Sequence, residues 1–190
     1  DDVTGALGLD RDDAAQLRER GRFLRRHLPD LDLPSLDDDA LTVHLPRLCR
    51  GCTSFDDLRR TGAAELLRGL LSHEQLRALD RHAPERIGVP SGSQIRLTYQ
   101  GDRAPVLAAR IQELFGLRAT PRVAAGRVPV LLHLLAPNHR PQQVTDDLES
   151  FWNTTYPVVR KELRRRYPRH AWPDDPWTAQ AERRPRRRTS

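Results

Sequence analysis

Apolar positions recur at helical spacing along the first third of the chain. Over residues 10–28, Ala14, Leu17, Gly21, Leu24 and Leu28 follow one another at steps of three and four, with Asp10, Asp12 and Asp13 in front. That spacing predicts an amphipathic helix with its acids at the positive end of the helix dipole. Residues 29–34 hold Pro29 and Pro34 and break the pattern; a second helix is predicted over 36–45, ending before Pro46. Further helical stretches are predicted over 54–60 and 63–71. Ser72, with Gln75 three residues on, has the form of a capping box that opens a helix to His82. Residues 1–83 are therefore expected to be a small all-helical module.

The period then changes. Residues 86–89 and 94–99 flank the turn-rich Pro90-Ser91-Gly92-Ser93, and Ile95, Leu97 and Tyr99 alternate with Arg96 and Thr98, which predicts a β-hairpin. Pro105 suits a first helical position and Gly116 a helix stop, so a helix carrying Leu107, Ile111, Leu114 and Phe115 is predicted between them. Strands are predicted over 121–124 and 127–135, with Pro129 calling for an edge position or a bulge. A short strand over 142–144 follows, then a helix capped by Thr145 that holds Leu148, Phe151 and Trp152, then another over 158–166. The fold class expected is α+β: a helical module, 1–83; a mixed domain of hairpin, helix, strands and C-terminal helices, 84–176; and a disordered basic tail, 177–190.

Charge sharpens this division. Residues 1–159 carry 21 basic against 22 acidic side chains, whereas 160–190 carry 11 against 4, so the net charge of +6 resides in the last segment. Clustered cations favour a polyanion, because they release counterions from a phosphate backbone; a merely solvated tail is the alternative for 183–188. No apolar run approaches the length of a membrane span, since Val128–Ala136 is interrupted by Pro129 and His133. The start at Asp1-Asp2 does not resemble a secretory signal, and with no methionine anywhere it suggests a fragment. Two cysteines are too few for a disulfide scaffold, so a cytoplasmic location is expected.

Several chemistries are excluded by what the residues lack. A phosphate-cradling P-loop needs glycines followed by lysine and a hydroxyl residue, but Lys161, the only lysine, lies among Arg160, Glu162 and Leu163. His73-Glu74 begins like a zinc-protease helix, yet Arg77 stands where the second imidazole is required. Cys49 and Cys52, with His44 nearby, lack a fourth ligand and read as packed side chains. Asn153-Thr154-Thr155 matches a glycosylation sequon without an export signal. Asp146, Asp147 and Glu149 need no explanation beyond the start of a helix.

Longer strings carry a family resemblance. Residues 90–99, PSGSQIRLTY; 105–116, PVLAARIQELFG; 126–152, GRVPVLLHLLAPNHRPQQVTDDLESFW; and 166–176, RYPRHAWPDDP, resemble the C-terminal region of HrpB-type bacterial DEAH-box RNA helicases. The likeness is specific over 84–184 and weaker over the N-terminal helices. It implies a parent that couples ATP hydrolysis to movement on RNA through two motor lobes. The Walker lysine, the DEAH box and the arginine-rich motif are absent here, so no catalytic, nucleotide-binding or metal-binding residue carries over; ATP and Mg would belong to the parent's motor, and no cofactor to this chain. The implied function is non-catalytic: RNA contact and regulation of the motor. The alternative is a module that docks on protein, including its own motor domains, without touching RNA.

For RNA contact the candidates are Arg160, Lys161, Arg164, Arg165, Arg166 and Arg169, with Tyr167 and Trp172 available to stack on bases. Arg160 and Arg164 would share one helix face, as would Lys161 and Arg165. Tyr167 and Trp172 could instead anchor the final segment, and Phe151 and Trp152 are expected in the core.

Overall fold

The computed structural model describes residues 12–48 and 62–183, which form two compact units. The predicted helix over 54–60, Cys49, Cys52 and the tail beyond Arg183 lie outside the described residues. The chain is α+β, as the patterning predicts.

The helical unit takes residues up to Pro84 together with 99–103. Its first helix, α1 (Asp12–His27), buries Ala14, Leu17, Phe23 and Leu24. Each large apolar side chain so removed from water contributes roughly 1.5–3 kcal/mol. Gly21 sits on that face because a Cβ there would meet the Leu36 side chain at 3.3 Å. After a 3-10 turn at Pro29–Leu31, Asp37 caps α2 (Asp38–Leu48), its Oδ1 accepting from the Ala40 N–H at 2.9 Å. Here α2 runs on past Pro46, where the sequence pattern ends it; a proline in the last turn forfeits one i→i−4 bond without stopping the element. The helix α3 (Ala63–Arg68) precedes α4 (His73–His82), which opens with the predicted box: the Ser72 hydroxyl accepts from the Gln75 N–H, and the Gln75 side chain accepts from the Ser72 N–H.

Two polar residues tie these helices together. Arg20, only 1% exposed, donates from Nε to the Ala83 carbonyl at 2.6 Å and from an Nη to Asp80 at 2.8 Å. Tyr99 returns from the sheet region to pack edge-on against Phe23 with ring centroids 5.4 Å apart. Its hydroxyl donates to the Pro84 carbonyl at 2.9 Å, and Gln16 meets its backbone N–H at 3.0 Å.

The second unit holds residues 85–98 and 104 onward. Strands β1 (Arg86–Gly88) and β2 (Gln94–Thr98) form the predicted antiparallel hairpin, with Gly92 at φ 79° supplying the left-handed turn position. The helix predicted between Pro105 and Gly116 is not there. Residues Val106–Arg110 form strand β3, followed by a 3-10 turn at Ile111–Glu113. Leucine, alanine and arginine favour a helix locally, and parallel pairing of β3 with β6 (Leu131–Leu135) overrides that preference. Gly116 still lies at φ 82°, so its role as a left-handed stop survives the change of element.

The strand predicted over 127–135 is broken in two. Arg122–Val123 (β4) and Val128–Pro129 (β5) make a separate two-stranded ribbon, which leaves Pro129 outside the main sheet. With β7 (Pro141–Thr145) the main sheet has the order β1-β2-β3-β6-β7. Leu97, Leu107, Ala109, Leu132 and Leu134 are buried on one face by the two-residue alternation.

Helix α5 (Leu148–Ser150) is capped by Asp147, whose Oδ1 accepts from the Ser150 N–H at 2.9 Å; Thr145 instead makes a turn, its hydroxyl accepting from the Asp147 N–H. The two helices predicted here are joined by a π turn at Phe151–Thr155, leading straight into α6 (Tyr156–Arg166). Pro157 follows that wide turn, which makes room for a ring with no N–H to give. Phe151, Trp152 and Tyr156 are buried with Phe115 as an aromatic cluster, and the Trp152 indole donates to the Leu117 carbonyl at 3.1 Å.

Beyond α6 the chain returns as a strap. The Gly116 N–H donates to Pro176 at 2.8 Å and the Glu182 N–H to Gln112 at 3.0 Å. Of residues 177–183, which the sequence reading assigned to the tail, Glu182 thus bonds to Gln112, and the Arg183 carbonyl accepts from the Arg110 side chain at 2.8 Å.

Candidate nucleic-acid interface

Helix α6 divides its cations between the fold and the solvent. Its inner side carries Tyr156 and Leu163, which are buried. Arg160, 17% exposed, turns toward the strap: its Nε donates to the Trp172 carbonyl at 2.9 Å and its guanidinium pairs with Asp174. The Tyr156 hydroxyl donates to the Pro173 carbonyl at 3.0 Å, and burial holds that phenol well above its ordinary pKa. Trp172 is 7% exposed, with its indole N–H on the Tyr167 carbonyl at 3.0 Å. Arg160 and Trp172 are both engaged in fixing the strap, the anchoring role weighed for Trp172.

Lys161, Arg164 and Arg165 stand on the other side, exposed. Lys161 lies one turn from both Arg164 and Arg165 along α6 and so neighbours each of them on the helix surface. Arg166 is exposed and only loosely paired, 3.7 Å from Glu162. Arg169 is exposed just past the helix, and Tyr167 is half-buried with its ring edge-on to His170 at 6.5 Å. Three arginines in the last turn also complement the negative end of the helix dipole, so local stability and surface charge favour the same residues.

His170 joins the strap to the 3-10 turn. Its Nδ1 lies 3.3 Å from the Gln112 amide nitrogen, while burial and nearby Arg110 lower its pKa. The Gln112 Oε1 is buried without a hydrogen-bond partner among the described residues. Asp174, which the sequence reading did not single out, decides the fate of Arg160. No sequence signal marks it, because the pairing depends on where the strap returns. The arginines of α4, Arg77 and Arg81, were also passed over as a pair, although their four-residue spacing on a capped helix is legible.

Among the described residues no cluster of three or more histidine, cysteine or carboxylate side chains could hold a metal ion. Among them, too, no helix is long and apolar enough to cross a membrane.

Comparison with known proteins gives the family. Residues 44–176 match the family model described as ATP-dependent helicase C-terminal. Over 169 residues, 86% of the chain, the sequence is 43% identical to the ATP-dependent RNA helicase HrpB of Escherichia coli, of which this covers 21%. A crystal structure of the E. coli DExH-box NTPase HrpB superposes with a TM-score of 0.85 at 41% identity, covering 91% of this chain and 22% of that one. A second structure, of the Escherichia coli DEAH/RHA helicase HrpB, gives 0.71 at 39% identity over 85% of this chain and 21% of its own. The chain thus spans about a fifth of the length of the relatives it matches. With a matched model over most of its length and the same fold at this level of identity, the chain belongs to the HrpB-type ATP-dependent helicase C-terminal family.

Proposed function

We propose that this region is the non-catalytic accessory part of an ATP-dependent RNA helicase, touching RNA through the exposed side of α6 and regulating the motor to which it is joined. The observation that carries the reading is the stripe of Lys161, Arg164 and Arg165, exposed cations with Arg166 and Arg169 at its end, on a helix whose other arginine, Arg160, is consumed by the fold. A cationic stripe of this kind follows a phosphate backbone without reading sequence. Tyr167 is the remaining aromatic beside it for stacking on a base. In this reading ATP and Mg are handled by the motor lobes, the region itself holds no cofactor, and the protein works in the cytoplasm.

Fluorescence anisotropy with labelled single-stranded RNA tests it. Weak, salt-sensitive binding with little sequence preference is expected, and replacing Arg164, Arg165 and Arg166 by Ala lowers both affinity and salt dependence. Affinity unchanged by that triple substitution removes α6 from the interface.

The outer face of the main sheet favours a second reading, docking on the parent's own motor. Val144 is 51% exposed, and its register partner His133 and the neighbouring Ala108 share that face with Leu131 and Leu135. Titration against the separately expressed motor distinguishes the two, since loss of binding after Val144→Asp supports docking while RNA affinity stays unchanged.

A further inference from the structure

The helical unit carries a groove of about 540 Å³ along the outer side of α4. Its walls hold Arg77 and Arg81, and Leu31 and Ala78 are the apolar residues between them. Arginines one turn apart place their Cβ atoms about 5–6 Å from each other, so two guanidinium forks overhang one strip of surface. We infer that this groove is a second RNA-binding site, taking a phosphodiester on Arg77 and Arg81 and the attached sugar and base over Leu31 and Ala78. The inference rests on the proposed reading for the kind of polymer, and on the groove alone for the place.

Four observations support it. Four other arginines of this unit are engaged by acids, Arg18 by Asp38, Arg20 by Asp80, Arg22 by Glu19 and Arg68 by Glu65, while Arg25, Arg26 and Arg103 do not line the groove. Arg77 and Arg81 are exposed and make no such pair among the described residues. Asp80, the nearest carboxylate on α4, has its charge offset from within by buried Arg20, leaving Glu74 as the one unoffset acid on the groove.

The groove is also preformed. The Gln75 amide donates to the Asp32 carbonyl at 2.8 Å, fixing the 3-10 turn that bears Leu31 against α4. The capping box holds one end of α4, and Arg20 on the Ala83 carbonyl holds the other. A site already ordered gives up little conformational entropy on binding. Planar guanidinium forks bind phosphate in two-toothed fashion and stack on bases, which an acidic peptide would use only in part.

The test is anisotropy of a labelled oligouridine on the whole chain, comparing Arg77→Ala/Arg81→Ala with the α6 triple variant, and with Glu74→Arg. The groove variant should weaken binding about tenfold and lower the slope of log affinity against log salt by about 0.7–1.4, one or two single-strand phosphates. Glu74→Arg should tighten binding about threefold by removing the opposing charge. Far-UV circular dichroism should leave both variants as folded as the parent, since all three side chains are exposed. Unaltered affinity and slope in the groove variant, with binding lost in the α6 variant, overturns the groove and leaves α6 standing. Loss in the groove variant alone keeps the groove and refutes α6. Equal displacement of the RNA by polyglutamate of the same charge overturns the assignment to RNA.

Discussion

Removing the Arg20 guanidinium separates two ways in which a buried charge can act. Arg20 is 1% exposed, whereas its partner Asp80 keeps a side chain 76% exposed. In Arg20→Met the aliphatic stem is replaced and the positive charge leaves the interior. The Ala83 carbonyl, in a residue with no exposed surface, then loses its Nε–H donor, at a cost of about 1–3 kcal/mol. Asp80 rehydrates at almost no cost, and the penalty of keeping a guanidinium out of water disappears, returning part of the loss. The expected net destabilisation is about 1–2 kcal/mol. Arg20→Ala should add about 2 kcal/mol more, because it also leaves a cavity. Asp80→Ala inverts the problem: an exposed group is removed, yet a buried charge loses one of its partners, so it should cost about 2 kcal/mol rather than the small fraction of one usual for a surface pair. Urea unfolding at neutral pH, followed by far-UV circular dichroism, measures all three. If Asp80→Ala changes stability by less than about 0.5 kcal/mol while Arg20→Met costs its full amount, the ion pair with Asp80 contributes nothing and the effect lies in the other bonds of the guanidinium, that to Ala83 among them.

Three further outcomes are expected. The Ser35 hydroxyl, the Ala40 N–H and then Arg25 and Arg18 hold the Asp37 carboxyl below its ordinary pKa of 3.8. Its contribution is therefore complete above that value and is lost as pH falls through the lower folded value; Asp37→Asn should flatten the acid limb of a stability-against-pH curve, and Asp37→Ala should cost about 1 kcal/mol at pH 7 as a lost cap. Tyr156→Phe leaves the Pro173 carbonyl without its donor and should cost about 1 kcal/mol, with faster hydrogen exchange at Gly116, whose N–H meets Pro176 three residues on. Ala125 lies at φ 55° in the β4–β5 turn, a position that favours asparagine or glycine, so Ala125→Asn should raise stability by about 0.5–1 kcal/mol in thermal melts.

What the sequence discloses follows how local the deciding interaction is. The capping box at Ser72 and the Gly92 hairpin turn were legible because donor, acceptor and backbone requirement lie within four residues of each other. Residues 106–110 were not: Val-Leu-Ala-Ala-Arg lacks a two-residue alternation and holds good helix formers, and the pairing that makes it a strand comes from Leu131–Leu135. Thr145 and Asp147 are both good caps by composition, and only the geometry shows which one reaches the Ser150 N–H. The π turn at Phe151–Thr155 has no compositional mark that separates it from two helices. In the candidate interface the cationic run on α6 was plain from residue types, but its partition was not. Arg160 and Trp172 left the surface because residues 172–174 fold back on the helix, a return that no spacing encodes.

That return has a consequence for synthesis. The turn of the first hairpin receives the Arg183 side chain on the Gly92 carbonyl, across 91 residues of sequence. On a ribosome, the hairpin emerges long before the segment that closes over it, and β3 likewise waits for its parallel neighbour. Local helices of the preceding unit can form as they exit, whereas the sheet must remain incomplete until Leu131–Leu135 and Pro141–Thr145 arrive. A nascent chain stalled before residue 131 would expose the unpaired edge of β3 and Phe115 without its aromatic partners together, which makes that interval the one in which a chaperone has most to protect.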